Sequence, residues 1–181
     1  MVIAGVWFLW LIWPIRSGVR LPAATETSIL RRIVVVGLLL RVLMLWSVPA
    51  LEDDFHRYLW DGAVAANGFN PYGVVPAAAT EEGATGVISE LAERSGSVHD
   101  RINHPHLRTI YPPVAELAFA IAYLAEPWSL LAWRLVCLAC EASTLWLLLT
   151  LLKEMGRSPL LVMIYWLNPL VIKELMNSAH M

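Results

Sequence analysis

The stretch WSLLAWRLVCLACEASTLWLLLTLL, residues 128–152, is apolar along nearly its whole length. A helix needs about 20 mostly apolar residues to cross the hydrocarbon core of a bilayer. Further apolar runs cover residues 1–15, 33–51 and 159–172. The chain is 58% hydrophobic, with nine Trp among 181 residues, and its mean hydropathy is +0.60. These features predict an all-α integral membrane protein with several spanning helices.

The charged residues between the apolar runs predict how the chain crosses the membrane. Four arginines separate the first two runs, and the positive-inside rule assigns them to the cytoplasm. The next polar segment, residues 52–113, has nine acidic residues against four arginines and is therefore predicted to be extracytoplasmic. The residues that set this topology are Arg16, Arg20, Arg31 and Arg32 on one side and Glu52, Asp53, Asp54, Asp61, Glu81, Glu82, Glu90, Glu93 and Asp100 on the other.

Short elements are predicted in and after the acidic loop. Residues 55–66 fit a juxtamembrane helix that ends at Gly68. Residues 77–97 are predicted to form a surface insertion with a helix around 87–94. The apolar segment 114–125 is about half the length of a span, which favours a partly inserted or re-entrant helix. Residues 177–181 then return to the side of the acidic loop.

The first apolar run and the arginines after it predict a division of the chain at residue 32. The run 1–15 has no Lys or Arg before it, which favours a transmembrane helix, with a cleaved signal peptide as the alternative. Residues 1–32 are predicted to be this helix and its arginine-rich linker, and residues 33–181 to be the first part of a transmembrane domain. Further spans are expected downstream, because the sequence stops in a polar context.

Charge and cysteine content exclude some functions. The net charge is −2, so no basic stripe indicates a nucleic-acid partner. Cys137 and Cys140 lie in an apolar run, where packing is their expected role. His104 and His106 flank a proline without a third ligand nearby in sequence, which is weak evidence for a metal site.

Glu52, Asp53 and Asp54 are the strongest candidates for chemistry, because they directly follow the second apolar run. Such carboxylates can act as a general base on a hydroxyl, or hold a divalent cation, Mg²⁺ or Mn²⁺, against a phosphate. The alternative is an acidic cap at a helix start, a position that Asp favours. The local sequence leaves both interpretations open.

Several short motifs follow this acidic group in a fixed order. They are RYLWDG at 57–62, NPY at 70–72, HP at 104–105, TIYPP at 109–113, NPLVIKE at 168–174 and SAH at 178–180. With Asp53-Asp54, this series resembles membrane glycosyltransferases of the GT-C type, particularly bacterial polyprenol-phosphate-mannose-dependent mannosyltransferases and, more loosely, GPI mannosyltransferases. The resemblance covers residue 33 to the end. In two departures, Ala179 replaces a commoner Gly, and the family's Asp after His180 lies beyond the sequence.

The resemblance implies a GT-C-like multi-spanning bundle in the inner membrane, with the active loop on the extracytoplasmic face. The implied donor is a sugar, mannose by resemblance, on a polyprenyl phosphate, and the implied acceptor is a glycan or glycolipid. One loop carboxylate would deprotonate the acceptor hydroxyl for an inverting displacement. Asp53 is the first candidate for this base, and Asp54 is the second.

Supporting roles are predicted for cationic and aromatic side chains, each with an alternative. Arg57 is a candidate for the departing phosphate, but it can instead pair with Asp61 four residues on. Trp60, Tyr72 and Tyr111 can stack on a sugar or anchor at the membrane interface. The other candidates for the phosphate or substrate are His104, Arg108 and His180, together with Tyr111.

Two other classes of protein compete with the enzyme. A transporter or lipid flippase also carries intramembrane charges, such as Arg41 and Glu141, but the sequence has no internal repeat. A non-catalytic scaffold subunit has little need for adjacent carboxylates beside a bilayer. The sequence therefore favours a glycosyltransferase.

Overall fold

The computed structural model describes residues 22–50 and 52–180, together with residues 5, 6, 8 and 10. The prediction of a span or signal peptide at residues 1–15 therefore falls largely outside the described residues. Within the described part all regular secondary structure is helical, as predicted. The α-helices are α1 (Ala23–Met44), α2 (Phe55–Ala66), α3 (Val87–Arg94), α4 (Ser97–Asp100), α5 (Pro113–Ala125), α6 (Leu130–Glu154), α7 (Met163–Trp166) and α8 (Pro169–Ile172).

Short turns complete the helical chain. Pro71–Gly73, Pro76–Thr80 and Pro159–Val162 form 3-10 turns, each with proline at its start. Lys173–Asn177 continues α8 as a π-helical turn. Proline is favoured at these starts because its missing N–H would have no partner there.

The helices predicted in the loop are confirmed closely. The helix at Phe55–Ala66 has the predicted bounds, and it ends before Gly68, whose φ is +83°. Val87–Arg94 is also helical. The insertion that carries it has more to bury than its composition predicts, because Leu91 and Ala92 pack with Trp60, Ala63 and Val64 of α2.

One helix of the described chain, α6, is long and apolar enough to cross a membrane by itself. The segments Pro159–Trp166 and Pro169–Asn177 meet at 50° and add a second span if the bent pair is counted as one. The helix at Pro113–Ala125 is apolar but short, as expected for a segment that does not cross. Of the several spans predicted from the sequence, the described residues therefore support one, or two if the bent pair is a single span.

The predicted run at residues 33–51 differs in its bounds from the helix that forms there. Helix α1 begins at Ala23, directly after Pro22, and ends at Met44. The predicted end was too late because Ser47 and Pro49 follow, and the residue before a proline disfavours the helical backbone. The predicted start, residue 33, was ten residues too late, because Arg31 and Arg32 lie within the helix and do not interrupt it.

The described residues fall into two compact units. The first contains α1 and the chain from Cys137 to Asn177. Its core consists of Ile33, Leu160, Val162 and Trp166. Gly37 allows α1 to approach Trp166 closely, because a Cβ there would lie 2.2 Å from the indole nitrogen.

The second unit contains the described residues of Pro49–Val136, with Ser178–His180. Its centre is the packing of α2 against α5. At Gly62 an added Cβ would lie 2.4 Å from the backbone oxygen of Phe119, so the two helices can pack this closely only where α2 has no side chain. This contact places the two ends of the acidic loop beside one another.

Candidate active site

The carboxylates predicted as catalytic lie directly before α2, in the second unit. Asp54 occupies the N-cap position of this helix, but its side chain makes no capping hydrogen bond. Asn103, from the loop after α4, instead donates from Nδ2 to an oxygen of Asp53 and to Asp54 Oδ1, the latter at 3.2 Å. The carboxylates are therefore oriented by a tertiary contact rather than by the helix end.

His180 is brought to this carboxylate group from the far end of the sequence. Its Nε2 lies 3.6 Å from Asp54 Oδ2, an ion pair when the imidazole is protonated. Ser178 Oγ donates to the oxygen of Ala50 at 3.2 Å, and the indole N–H of Trp133 donates to the oxygen of Ala179 at 2.9 Å. These bonds hold the SAH motif at the acidic end of the unit.

Ala179, where the resemblance leads us to expect glycine, has a left-handed backbone conformation. Its φ is +53°, in the left-handed region that glycine adopts without steric cost. An alanine in this conformation costs about 1–2 kcal/mol. A glycine at this position would therefore form the turn that presents His180 without this cost.

Three side chains at this place could hold a metal ion. One ligand atom each of Glu52, Asp54 and His180 lies within 4.8 Å of the others. This spacing is short enough for one cation to contact all three. Two carboxylates and an imidazole suit Mn²⁺ better than Mg²⁺, which prefers oxygen ligands throughout.

Arg57 is paired within α2. Its Nε lies 2.9 Å from both carboxylate oxygens of Asp61, and its Nη1 donates to the oxygen of Leu107 at 3.0 Å. Its Nη2 is buried without a hydrogen-bond partner. Of the two sequence interpretations, the ion pair with Asp61 is therefore the one that the structure contains.

A second polar group surrounds this ion pair and was not predicted from the sequence. Thr109 Oγ1 lies 2.7 Å from Glu116 Oε1, and the Thr109 hydroxyl is also near enough to Asp61 to help lower the pKa of that carboxyl. Burial raises the pKa of Glu116 to about 7, against the lowering effects of Thr109 and Arg57. Burial likewise raises the pKa of Asp61, and the charge of Arg57 opposes this shift.

Aromatic rings lie beside the carboxylates. Tyr58 stacks on Phe119 with ring centroids 4.8 Å apart and meets Tyr111 edge to face at 5.0 Å. Its ring is also 6.5 Å from that of His180. Tyr111 is half-buried, and burial raises the pKa of its hydroxyl. The structure thus brings Tyr111 and His180 together with the predicted base candidates.

The remaining predicted residues lie in different environments. Trp60 is fully buried and packs edge to face on His99 at 4.8 Å, so its ring has no free surface for a sugar or for the membrane interface. Tyr72 is exposed, and its hydroxyl donates to the oxygen of Tyr111 at 2.6 Å. His104 and Arg108 are exposed in the loop before α5.

An all-helical chain with an apolar membrane-length helix and a polar site at the start of a loop helix has the features of a membrane-associated enzyme. More specifically, this chain belongs to the MptA_B family, because residues 1–181 match the model described as alpha-(1->6)-mannopyranosyltransferase, N-terminal domain. The predicted class, a glycosyltransferase of the mannosyltransferase type, is thereby confirmed. Comparisons with curated proteins and with solved structures find no match.

Proposed function

We propose that this domain provides the general base of an enzyme that transfers mannose from a polyprenyl-phosphate donor to a hydroxyl of a glycan or glycolipid. The observation that carries this proposal is the gathering of Asp53, Asp54, His180 and Tyr111 at one place in the second unit. The family supports mannosyl transfer in general. The lipid donor and the role of Asp53 are our additions.

In the proposed reaction Asp53 takes the proton of the acceptor hydroxyl. The hydroxyl oxygen forms a bond to the anomeric carbon, the bond from that carbon to the phosphate oxygen breaks, and polyprenyl phosphate leaves with its electron pair. A direct displacement of this kind inverts the anomeric configuration. Asp53 suits the role because its side chain is exposed and is oriented by Asn103.

The leaving phosphate requires positive charge, for which we propose His180, His104 and Arg108. The two loop residues are exposed and near in sequence to Asn103, which contacts the carboxylates. Arg57 is less suited to this role, since its guanidinium is already paired with Asp61. Tyr72 and Tyr111, joined by a hydrogen bond, are the aromatic candidates for contact with the sugar.

We further propose that the protein is a multi-pass protein of the inner membrane with this site on its extracytoplasmic face. The exposed apolar side chains of α1 and α6, such as Leu39, Leu43, Trp146 and Leu147, support contact with lipid or with further helices. The acidic excess of residues 52–113 supports an extracytoplasmic loop.

The protein carrying this domain, assayed in membranes, is expected to transfer mannose from polyprenyl-phosphate-mannose but not from a nucleotide-linked mannose. Radiolabelled donor and extraction of the glycan product measure this directly. Polyprenyl-phosphate-glucose is the matched control for the sugar, and membranes without the protein give the background. Equal transfer from the nucleotide-linked donor would contradict the proposed donor class, because the lipid phosphate would then have no role.

A divalent cation at Glu52, Asp54 and His180 is a separate proposal with its own test. Chelation by EDTA is expected to lower transfer, and Mn²⁺ is expected to restore it better than Mg²⁺, because the imidazole favours the softer ion. His180→Gln is expected to remove this difference between the two ions. Full transfer after exhaustive chelation would exclude a required cation and would leave His180 as a partner of Asp54.

A further inference from the structure

Glu116 is a buried carboxyl group that the proposed reaction does not use. It lies in the first turn of α5, and 5% of its surface is exposed. One oxygen, Oε1, lies 2.7 Å from Thr109 Oγ1, while Oε2 is buried without a hydrogen-bond partner. An ionised carboxylate with a buried, unpartnered oxygen is energetically costly. A protonated carboxyl group avoids most of that cost.

The hydroxyl of Thr109 faces both carboxyl groups. It lies 2.7 Å from Glu116 Oε1, it is near enough to Asp61 to affect the pKa of that carboxyl, and it accepts the backbone N–H of Tyr111 at 3.4 Å. A hydroxyl has one proton to donate and two lone pairs to accept with. It can therefore donate to only one of the two carboxyl groups.

The charges around the two carboxyl groups indicate which of them carries the proton. Arg57 lies 2.9 Å from both oxygens of Asp61, which keeps Asp61 ionised. Glu116 has no such cation in contact. With the proton on Glu116, Glu116 donates to Thr109, Thr109 donates to Asp61, and all three hydrogen bonds of the hydroxyl are made.

We propose that Glu116 carries a proton in the active enzyme and, through Thr109, fixes the loop that presents Tyr111 beside the carboxylates. Glu116 is thus a positioning residue of the proposed active site, and this role rests on the proposed function. Tyr72 shares the arrangement, since its hydroxyl donates to the oxygen of Tyr111. Loss of the proton would leave Thr109 between two anions and loosen this loop.

The charges that face Glu116 make its ionisation unfavourable. Arg57 and Asp61 of α2 cancel one another, and Tyr72 and Tyr111 are neutral near pH 7, so an ionised Glu116 adds an uncompensated charge. The pKa of Glu116, raised by burial from 4.5 to about 7, agrees with this. Because the folded pKa is raised, the proton is held below pH about 7 and lost above it. Transfer by the wild type should therefore fall on the alkaline side.

Glu116→Gln tests the proposal, because the amide retains a donor for Thr109 at every pH. The variant is expected to transfer within about threefold of the wild type at pH 6. If the ionised form is inactive, the wild type should lose roughly 30-fold by pH 8.5, whereas Glu116→Gln should keep its rate. Glu126→Gln, at the exposed end of the same helix, is the matched control and should follow the wild type.

Two further measurements separate this proposal from a failure of the proposed reaction or of folding. Infrared difference spectra between pH 6 and pH 8.5 should show the loss of a protonated-carboxyl band in the wild type but not in Glu116→Gln, whatever the donor. Thr109→Val removes the hydroxyl through which Glu116 acts, so it should lower transfer at pH 6 and weaken or abolish the alkaline limb. An unchanged alkaline limb in Glu116→Gln, or the absence of that band difference, would overturn the proposal.

Discussion

Asp53→Asn is expected to lower sugar transfer by about 10²–10⁴-fold, the usual contribution of a positioned general base. The amide keeps the size of the side chain, and its oxygen can still accept the hydrogen bond from Asn103. The amide, however, cannot take the proton of the acceptor hydroxyl. The loss should therefore appear in kcat rather than in the KM for the donor, measured as initial rates in membranes with matched protein amounts.

The neighbouring carboxylates provide the controls for this variant. Asp54→Asn removes the negative charge that faces His180 at 3.6 Å and is expected to lower transfer by about two- to fivefold, the worth of a part-exposed ion pair. Glu81→Gln, an exposed residue of the same loop, should leave transfer unchanged. Full activity of Asp53→Asn would rule out Asp53 as the base, and a larger loss in Asp54→Asn would transfer the role to Asp54.

Local sequence signals predicted the elements of the loop well. The helix at Phe55–Ala66 was found with its bounds, because Gly68 and the Asn-Pro pair at 70–71 stop it. The break inside the segment 159–172 was missed, although its signals are present. Asn168 caps the turn that Pro169 begins, its side chain accepting the N–H of Leu170 at 2.9 Å. A capping residue followed by proline is a common signal for a helix start.

The environment of each side chain was harder to predict than its secondary structure. The sequence pattern of α2 predicted that one apolar face is buried. Residues 56–64 are instead all buried, because α5 and the insertion at residues 77–97 enclose the helix. Trp60 was predicted, as an aromatic residue of the loop, to contact a sugar or the membrane interface, whereas it packs in the core.

The polar partners of the site depend on tertiary contacts that sequence spacing does not contain. Asn103 and Glu116 belong to no motif that indicates chemistry by itself. Each matters because folding places it against residues about 50 positions earlier in the chain, as for the pairs Asn103 with Asp53 and Glu116 with Asp61. The TIYPP motif gave a signal for Thr109 and Tyr111, but not for the carboxyl group that Thr109 contacts.

Glu141→Leu is expected to destabilise the first unit by about 3–5 kcal/mol, the cost of removing one partner from a buried ion pair. Arg41 is fully buried and donates to Glu141 Oε2 from Nε at 3.1 Å and from Nη2 at 2.6 Å. Its other contacts are the backbone oxygens of Gly37 at 3.2 Å and of Trp166 at 2.7 Å, and the face of the Trp166 indole, whose centroid is 3.7 Å from Cζ. None of these replaces the lost negative charge.

The double variant Arg41→Met/Glu141→Leu separates the ion pair from simple loss of packing. It should recover most of the stability lost in Glu141→Leu, because no buried charge then remains without a partner. Arg32→Leu, an exposed arginine of the same helix, should change stability by less than about 0.5 kcal/mol. Unfolding in detergent, followed by Trp fluorescence, measures the stability of the wild type, of Arg41→Met and Glu141→Leu, of the double variant and of Arg32→Leu. If the double variant is as unstable as the sum of Arg41→Met and Glu141→Leu, the two charges are not coupled and the cost of Glu141→Leu comes from packing alone.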